Sequence, residues 1–178
     1  MPGAPLTTVH GALVDVDGVG VLLLGRSGIG KSECALELVS RGHRLVADDI
    51  VELRPTPDGR VIGSAPERVR HYMEIRGLGI VFIPDLFGPE GVREEMSIDL
   101  LCQLEKWTEG AVYERVGLER ATQLIGGAQI PFVTLPARPG GSMATVIEVA
   151  ARDQRQRAAG VNAAVRLDAR LRREMQGS

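Results

Sequence analysis

The run Gly25-Arg26-Ser27-Gly28-Ile29-Gly30-Lys31-Ser32 has the spacing G-x-x-x-x-G-K-[ST]. Residues of these types at this spacing bind polyphosphate. The glycines let backbone N–H groups turn inward around phosphate oxygens. The lysine reaches the β- and γ-phosphates, and the hydroxyl after it ligates Mg²⁺. The chain holds two lysines against nineteen arginines, so a lysine here is informative. It indicates that a compact ammonium, not a forked guanidinium, is needed at this point. A second group with chemical capacity is Asp48-Asp49, which follows the apolar stretch Leu45-Val46-Ala47. Phosphoryl transfer needs a carboxylate for the metal and, for a hydroxyl acceptor, a group to take its proton. Adjacent residues on a strand point to opposite sides, so the two carboxylates have different roles, and either could be the base.

The elements that position these groups follow from hydrophobic spacing. Residues 19–24 form a near-continuous apolar run, as in a strand buried on both faces. Residues 31–40 have helical spacing and stop at Gly42, a C-cap; the helix directs its positive end at the same anion. Residues 9–16 read as one strand, joined to the next by a tight turn at Asp17-Gly18. Residues 44–47 predict a strand leading into the acidic pair, and 51–53 and 60–62 flank the turn Thr56-Pro57-Asp58-Gly59. Residues 76–79 and 84–89 read as loops or short helices. Residues 98–104 and 130–135 read as strands, the second ending at Pro136, with a break at Arg115-Val116-Gly117. Pro139 suits the first turn of a helix running to about residue 159, with Met143, Val146, Ile147 and Ala150 as its buried stripe. Residues 163–175 form a basic amphipathic helix through Leu167, Leu171 and Met175. The expected fold class is α/β: a mixed sheet containing a phosphate loop (P-loop), with flanking helices. One domain is expected over residues 1–178, with a core of about 9–160 and a C-terminal helix over 161–178.

Composition narrows the partners. A net charge of −2 gives no basic field for nucleic acid or an anionic membrane. Scarce aromatics argue against base-stacking platforms. No apolar run approaches a membrane span, and the first residues lack a signal-peptide pattern. Cys34 and Cys102 have no C-x-x-C partner, which fits a cytoplasmic protein with free thiols.

The chain resembles the catalytic domain of the bacterial HPr kinase/phosphorylase family. The resemblance rests on Val9-His10-Gly11, residues 25–33 and 42–49, Met73-Glu74-Ile75-Arg76-Gly77-Leu78-Gly79-Ile80, and Pro136-Ala137-Arg138-Pro139-Gly140. It runs over about residues 10–160. It implies a phosphoenolpyruvate carboxykinase-like core and a Mg²⁺-dependent serine kinase. The implied acceptor is HPr, the phosphocarrier protein of the sugar phosphotransferase system, and the donor is ATP or pyrophosphate. It also implies removal of that phosphate by phosphorolysis, and assembly into hexamers. On the same resemblance, Asp49 accepts the proton in the forward reaction and donates it in the reverse, with Asp48 as the alternative. His10 lies near this pair, Glu74 joins Ser32 at the metal, Arg115 stabilises the transferring group, and Arg138 belongs to the dephosphorylation loop. Full-length members carry a separate N-terminal domain, so this chain is expected to be a short form. Two features depart from the family pattern: Gly141-Ser142, where a basic or polar residue is usual, and Phe82, where Asn is common. Two other classes compete: a small-molecule or carboxykinase-like enzyme on the same loop, and a nucleotide sensor without chemistry.

Overall fold

The computed structural model describes residues 6–138 and 141–178. In chain order the strands are β1 (Thr7–His10), β2 (Ala12–Val16), β3 (Val19–Leu24), β4 (Arg44–Ala47), β5 (Ile50–Pro55), β6 (Val61–Ser64), β7 (Tyr72–Ile75), β8 (Gly79–Phe82), β9 (Glu95–Ser97), β10 (Leu100–Lys106), β11 (Ala121–Ile125) and β12 (Ala128–Ala137). The helices are α1 (Lys31–Ser40), α2 (Ile83–Phe87), α3 (Met143–Ala158) and α4 (Ala163–Gln176).

Alternation of apolar side chains builds two cores on the two faces of one sheet. That sheet has six strands in the order β11-β12-β10-β3-β2-β4. On β3, Val19, Val21 and Leu23 join Ala35, Leu38 and Ile147 from α1 and α3 in one buried cluster. Leu22 and Leu24 join Val51, Leu53 and Val61 in the other cluster, against a second sheet of order β1-β5-β6-β9. Both faces of β3 are therefore dry, which is why its sequence is apolar throughout. The sheet is mixed, as expected: β10 runs parallel to β3 and β12, whereas β2 is antiparallel to both β3 and β4. The strands β3, β4, β10 and β12 thus run the same way and end at one edge.

Several expected boundaries shift, each for a physical reason. The single strand expected over 9–16 is broken at Gly11 into β1 and β2, which belong to different sheets. A Cβ on Gly11 would lie 2.6 Å from the Leu23 carbonyl oxygen, so only glycine lets the chain cross so close to β3. The strand expected over 98–104 begins at Leu100, because Glu95–Ser97 pairs with β6 in the second sheet. There the chain changes sheets beside β3. Asp99 N–H donates to the Gly20 carbonyl at 2.8 Å, and its carboxylate accepts from Gly20 N–H at 2.8 Å. The strand expected to stop at Pro136 runs through it to Ala137. β11 covers only residues 128–132 of β12, leaving an edge where proline is tolerated.

In α3 the buried positions are Ala144, Ile147 and Ala151; of the expected stripe, Ile147 is buried, Met143 and Ala150 pack partly buried against the core, and Val146 is 43% exposed. The helix starts at Met143 and turns the i, i+3, i+7 set toward the sheet. The expected helix start at Pro139 lies outside the described residues. α3 is held to α1 by Arg41, which donates to Glu148 at 2.6 Å and to Thr145 at 3.0 Å. That bond holds the Glu148 carboxyl below its ordinary range. α4 forms as expected, capped by the Asn162 side chain, which accepts from the Ala164 and Val165 N–H groups. None of its residues is buried, and its Leu167, Leu171 and Met175 stripe is exposed.

One buried carboxylate knits the edge of the large sheet. Asp15 is 3% exposed and accepts from Gly18 N–H at 2.8 Å, Arg44 Nε at 3.0 Å and Arg93 Nη1 at 3.1 Å. Burial pushes its carboxyl up, but the bonds from Gly18, Arg93 and Arg44 outweigh burial and hold it below the ordinary carboxylate range. A carboxyl depressed in the folded state stabilises the fold above its unfolded pKa and loses that effect as pH falls through the folded value. Asp15→Asn is therefore expected to lower the urea midpoint at pH 7, with the deficit shrinking as pH falls below about 4. A deficit independent of pH would contradict this role. Gly11→Ala is expected to cost about 2–3 kcal/mol by urea denaturation, because its Cβ meets backbone rather than a yielding side chain. Gly59→Ala, at φ 84° with nothing within 4 Å, should cost only about 1 kcal/mol.

Candidate active site

The phosphate loop leaves β3 at Leu24 and enters α1 at Lys31, in the strand–loop–helix context expected. Gly25, Gly28 and Gly30 all have positive φ, the backbone conformation that curls N–H groups inward. Among the described residues, the N–H groups of Ser27, Gly28, Gly30 and Lys31 donate to no protein acceptor. Gly30 caps α1 with no side-chain hydrogen bond, so the positive end of the helix is open to an anion. Ile29 instead packs its side chain against the core. Lys31 Nζ lies inside the loop and donates to the Gly25 carbonyl at 2.5 Å and to the Arg26 carbonyl at 3.0 Å. A compact ammonium can sit within that turn, whereas a planar fork cannot.

The acidic pair lies where the chain passes from β4 in the large sheet to β5 in the second sheet. The alternation expected from the sequence is realised as a divergence of the two side chains. Asp48 is half-buried and accepts from Ser32 Oγ at 2.8 Å. Burial raises its carboxyl above the ordinary range; the Ser32 bond opposes this and the neighbouring Asp49 charge adds to it. Asp49 has φ 69° and turns into the open, with its side chain 80% exposed. Its Oδ1 is 4.0 Å from Nδ1 of His10, which is 83% exposed. The pair is set by backbone: Asp49 accepts from Gly11 N–H at 3.0 Å, and His10 is in register with Ile50. The two sheet crossings, at Gly11 and at Asp48-Asp49, therefore lie side by side and bring His10 to Asp49.

These groups share one cleft of about 820 Å³. His10, the phosphate loop, Ser32, Asp48 and Asp49 line one side; the β7–β8 hairpin lines the other with Glu74 and Arg76. Tyr72 and Phe82, with ring centroids 4.7 Å apart, brace the hairpin. Sequence reasoning missed Tyr72 and Ile80 on this wall, and it did not foresee the Ser32–Asp48 bond. The alternation of β7, with Met73 buried and Glu74 exposed, carries the signal that could have found the wall. Arg115 and Arg138 do not line this cleft. Arg138 lies over the Trp107 ring, 4.1 Å from its centroid, and Arg115 is in the β10–β11 loop. A second cavity, of about 380 Å³, opens beside Gly18, Asp99 and the end of α3, and has no phosphate loop. Among the described residues, no three His, Cys, Asp or Glu side chains converge as a metal cluster, and no helix is long and apolar enough to cross a membrane.

Fold and cleft define an α/β phosphate-loop domain with an acidic pair beside the loop. Residues 3–171 match the family described as HPr Serine kinase C-terminal domain, and the chain belongs to that family. An HPr kinase/phosphorylase of Caldanaerobacter subterraneus is 53% identical over 172 residues, covering 97% of this chain and 56% of the relative. One of Exiguobacterium sibiricum is 52% identical over 168 residues, covering 94% of this chain and 54% of the relative. The chain thus spans about half the length of the curated relatives it matches. The solved HPr(Ser) kinase/phosphatase of Coxiella burnetii superposes with a TM-score of 0.79 at 34% identity, covering 86% of this chain and 93% of that one.

Proposed function

We propose that this chain is the catalytic domain, with its core over about residues 9–160, of a cytoplasmic serine kinase acting on HPr or an HPr-like carrier. The observation that carries the reading is the division of the acidic pair: Asp48 faces Ser32 of the phosphate loop, and Asp49 faces His10 and open solvent. One carboxylate is thereby left for the donor side and one for an incoming hydroxyl. ATP or pyrophosphate is bound by the loop N–H groups and by Lys31, which exchanges its carbonyl partners for phosphate oxygens. The donor set fits Mg²⁺, since the Ser32 hydroxyl, hydrogen-bonded to a carboxylate, and Glu74 on the facing wall are hard oxygen ligands. Ser32 and Glu74 would hold such an ion, and it would supply positive charge against the negative charge of the donor phosphates.

Asp49 takes the proton from the acceptor serine as its oxygen forms the bond to the transferring phosphorus and ADP, or phosphate from pyrophosphate, leaves. His10 orients Asp49. Arg115 stabilises the charge on the transferring group. In the reverse reaction inorganic phosphate attacks the phosphorus of phosphoserine, the bond to the serine oxygen breaks as pyrophosphate forms, and Asp49 returns its proton to that oxygen, as microscopic reversibility requires. Arg138 serves that direction, and the family departure at Gly141-Ser142 bears on it most. The names of the relatives support both directions. The exposed apolar stripe of α4 supports assembly, for which a hexamer is the proposed form.

Incubation with purified carrier, ATP and Mg²⁺ is expected to give phosphoserine, and later addition of phosphate should release pyrophosphate. Lys31→Ala should lower phosphoserine formation at least about 10²-fold. Full activity in Lys31→Ala, or transfer to a metabolite in preference to the carrier, would overturn the reading.

A further inference from the structure

The chain's single tryptophan and one of its two tyrosines stack on each other beside the phosphate-loop edge of the sheet. Trp107 and Tyr113 have ring centroids 5.3 Å apart at an interplanar angle of 21°. The Arg138 guanidinium covers the tryptophan face at 4.1 Å. The three residues come from two segments. Trp107 and Tyr113 belong to the loop after β10, and Arg138 follows β12. Both strands run parallel to β3 and end at the edge where the phosphate loop begins. Gly25 is so close to β10 that a Cβ there would lie 2.7 Å from the Leu104 carbonyl.

The stack is fastened to backbone at each step. Trp107 N–H donates to the Ala137 carbonyl at 3.2 Å, and Thr108 N–H donates to the Tyr113 hydroxyl at 3.2 Å. The next turn is closed by Glu114 Oε1, which accepts from Val116 N–H at 2.9 Å and Gly117 N–H at 2.7 Å. Its far end is held by Arg157, which donates to the Gly117 carbonyl at 2.7 Å. Arg115 sits inside this fastened turn, and its side chain has no hydrogen-bond or ion-pair partner among the described residues. A planar guanidinium spread over an aromatic face keeps its N–H groups free for an anion while its position is fixed.

We infer that Trp107 and Tyr113 are positioning residues that couple the Arg115 loop to the Arg138 strand end, so that the two arginines are set as one unit beside the phosphate loop. The inference rests on the phosphoryl-transfer reading for its kinetic consequence, but the coupling itself can be read without activity. Loss of the stack displaces Arg115 without touching the nucleotide cradle. Trp107→Leu should lower kcat for phosphoserine formation about 10–100-fold while the nucleotide KM stays within about twofold. Trp107→Phe, which keeps an aromatic face, should restore most of the rate. In a double-mutant cycle, Arg115→Ala should cost clearly less in the Trp107→Leu background than in the parent. Amide hydrogen exchange over residues 107–117 should accelerate at least about tenfold in both Trp107→Leu and Arg138→Ala, with the β3 amides unchanged. Exchange at parental rates in both variants, or rate losses that simply multiply, would overturn the coupling. If the parent transfers no phosphate to the carrier, the functional reading fails and exchange alone decides the coupling.

Discussion

The site depends on one constraint: the chain must cross between the two sheets at two neighbouring points, entering the large sheet at the first and leaving it at the second. The first crossing is Gly11, pressed against the Leu23 carbonyl; the second is Asp48-Asp49, where Asp49 takes a left-handed backbone. The hydrogen bond from Gly11 N–H to the Asp49 carbonyl ties them together. The dry core between the two sheets holds them at a fixed spacing and leaves the crossings no slack, while the core on the other face of β3 fixes the large sheet against α1 and α3. His10 and Asp49 are placed by this backbone arrangement and not by their own weak attraction, since both side chains are mostly exposed.

The same edge receives the phosphate loop, because β3 and β4 run in one direction with β2 reversed between them. A turn built for a strand–helix junction is thereby set beside a turn built for a sheet crossing. Their contact is the bond from Ser32 to Asp48. Burial makes ionisation of Asp48 unfavourable, and a cation beside it would relieve that cost. Asp49 lies in the open, with its side chain 80% exposed.

Much of this was legible in the residues. The phosphate loop, β3, α1 and the turn at Asp17-Gly18 follow from short-range spacing, and they formed as read. Different surroundings for Asp48 and Asp49 were legible, but not their cause: neither lies in a strand, and Asp49 turns outward on a left-handed backbone between β4 and β5. What escaped depended on long-range packing. Nothing local in residues 9–16 says that Gly11 divides two sheets, because the reason lies in Leu23 across the fold. β9 has only three residues, too few for a periodic signal, and its partner is β6. The α3 stripe was read correctly at Ile147, Met143 and Ala150 but wrongly at Val146, because a stretch rich in Ala and Val looks apolar on more than one face. The stack of Arg138 on Trp107 joins residues 31 apart in sequence and left no pattern to read.

The division of labour between the two carboxylates is tested most directly by replacing each with its amide. Asparagine tolerates the left-handed backbone of residue 49, so Asp49→Asn removes the proposed base without straining the crossing. With carrier, ATP and Mg²⁺, Asp49→Asn is expected to bind nucleotide within about twofold of the parent while phosphoserine formation falls at least about 10²-fold. Transfer at the parental rate by Asp49→Asn, with the loss appearing in Asp48→Asn instead, would contradict the assignment of the exposed carboxylate as the base.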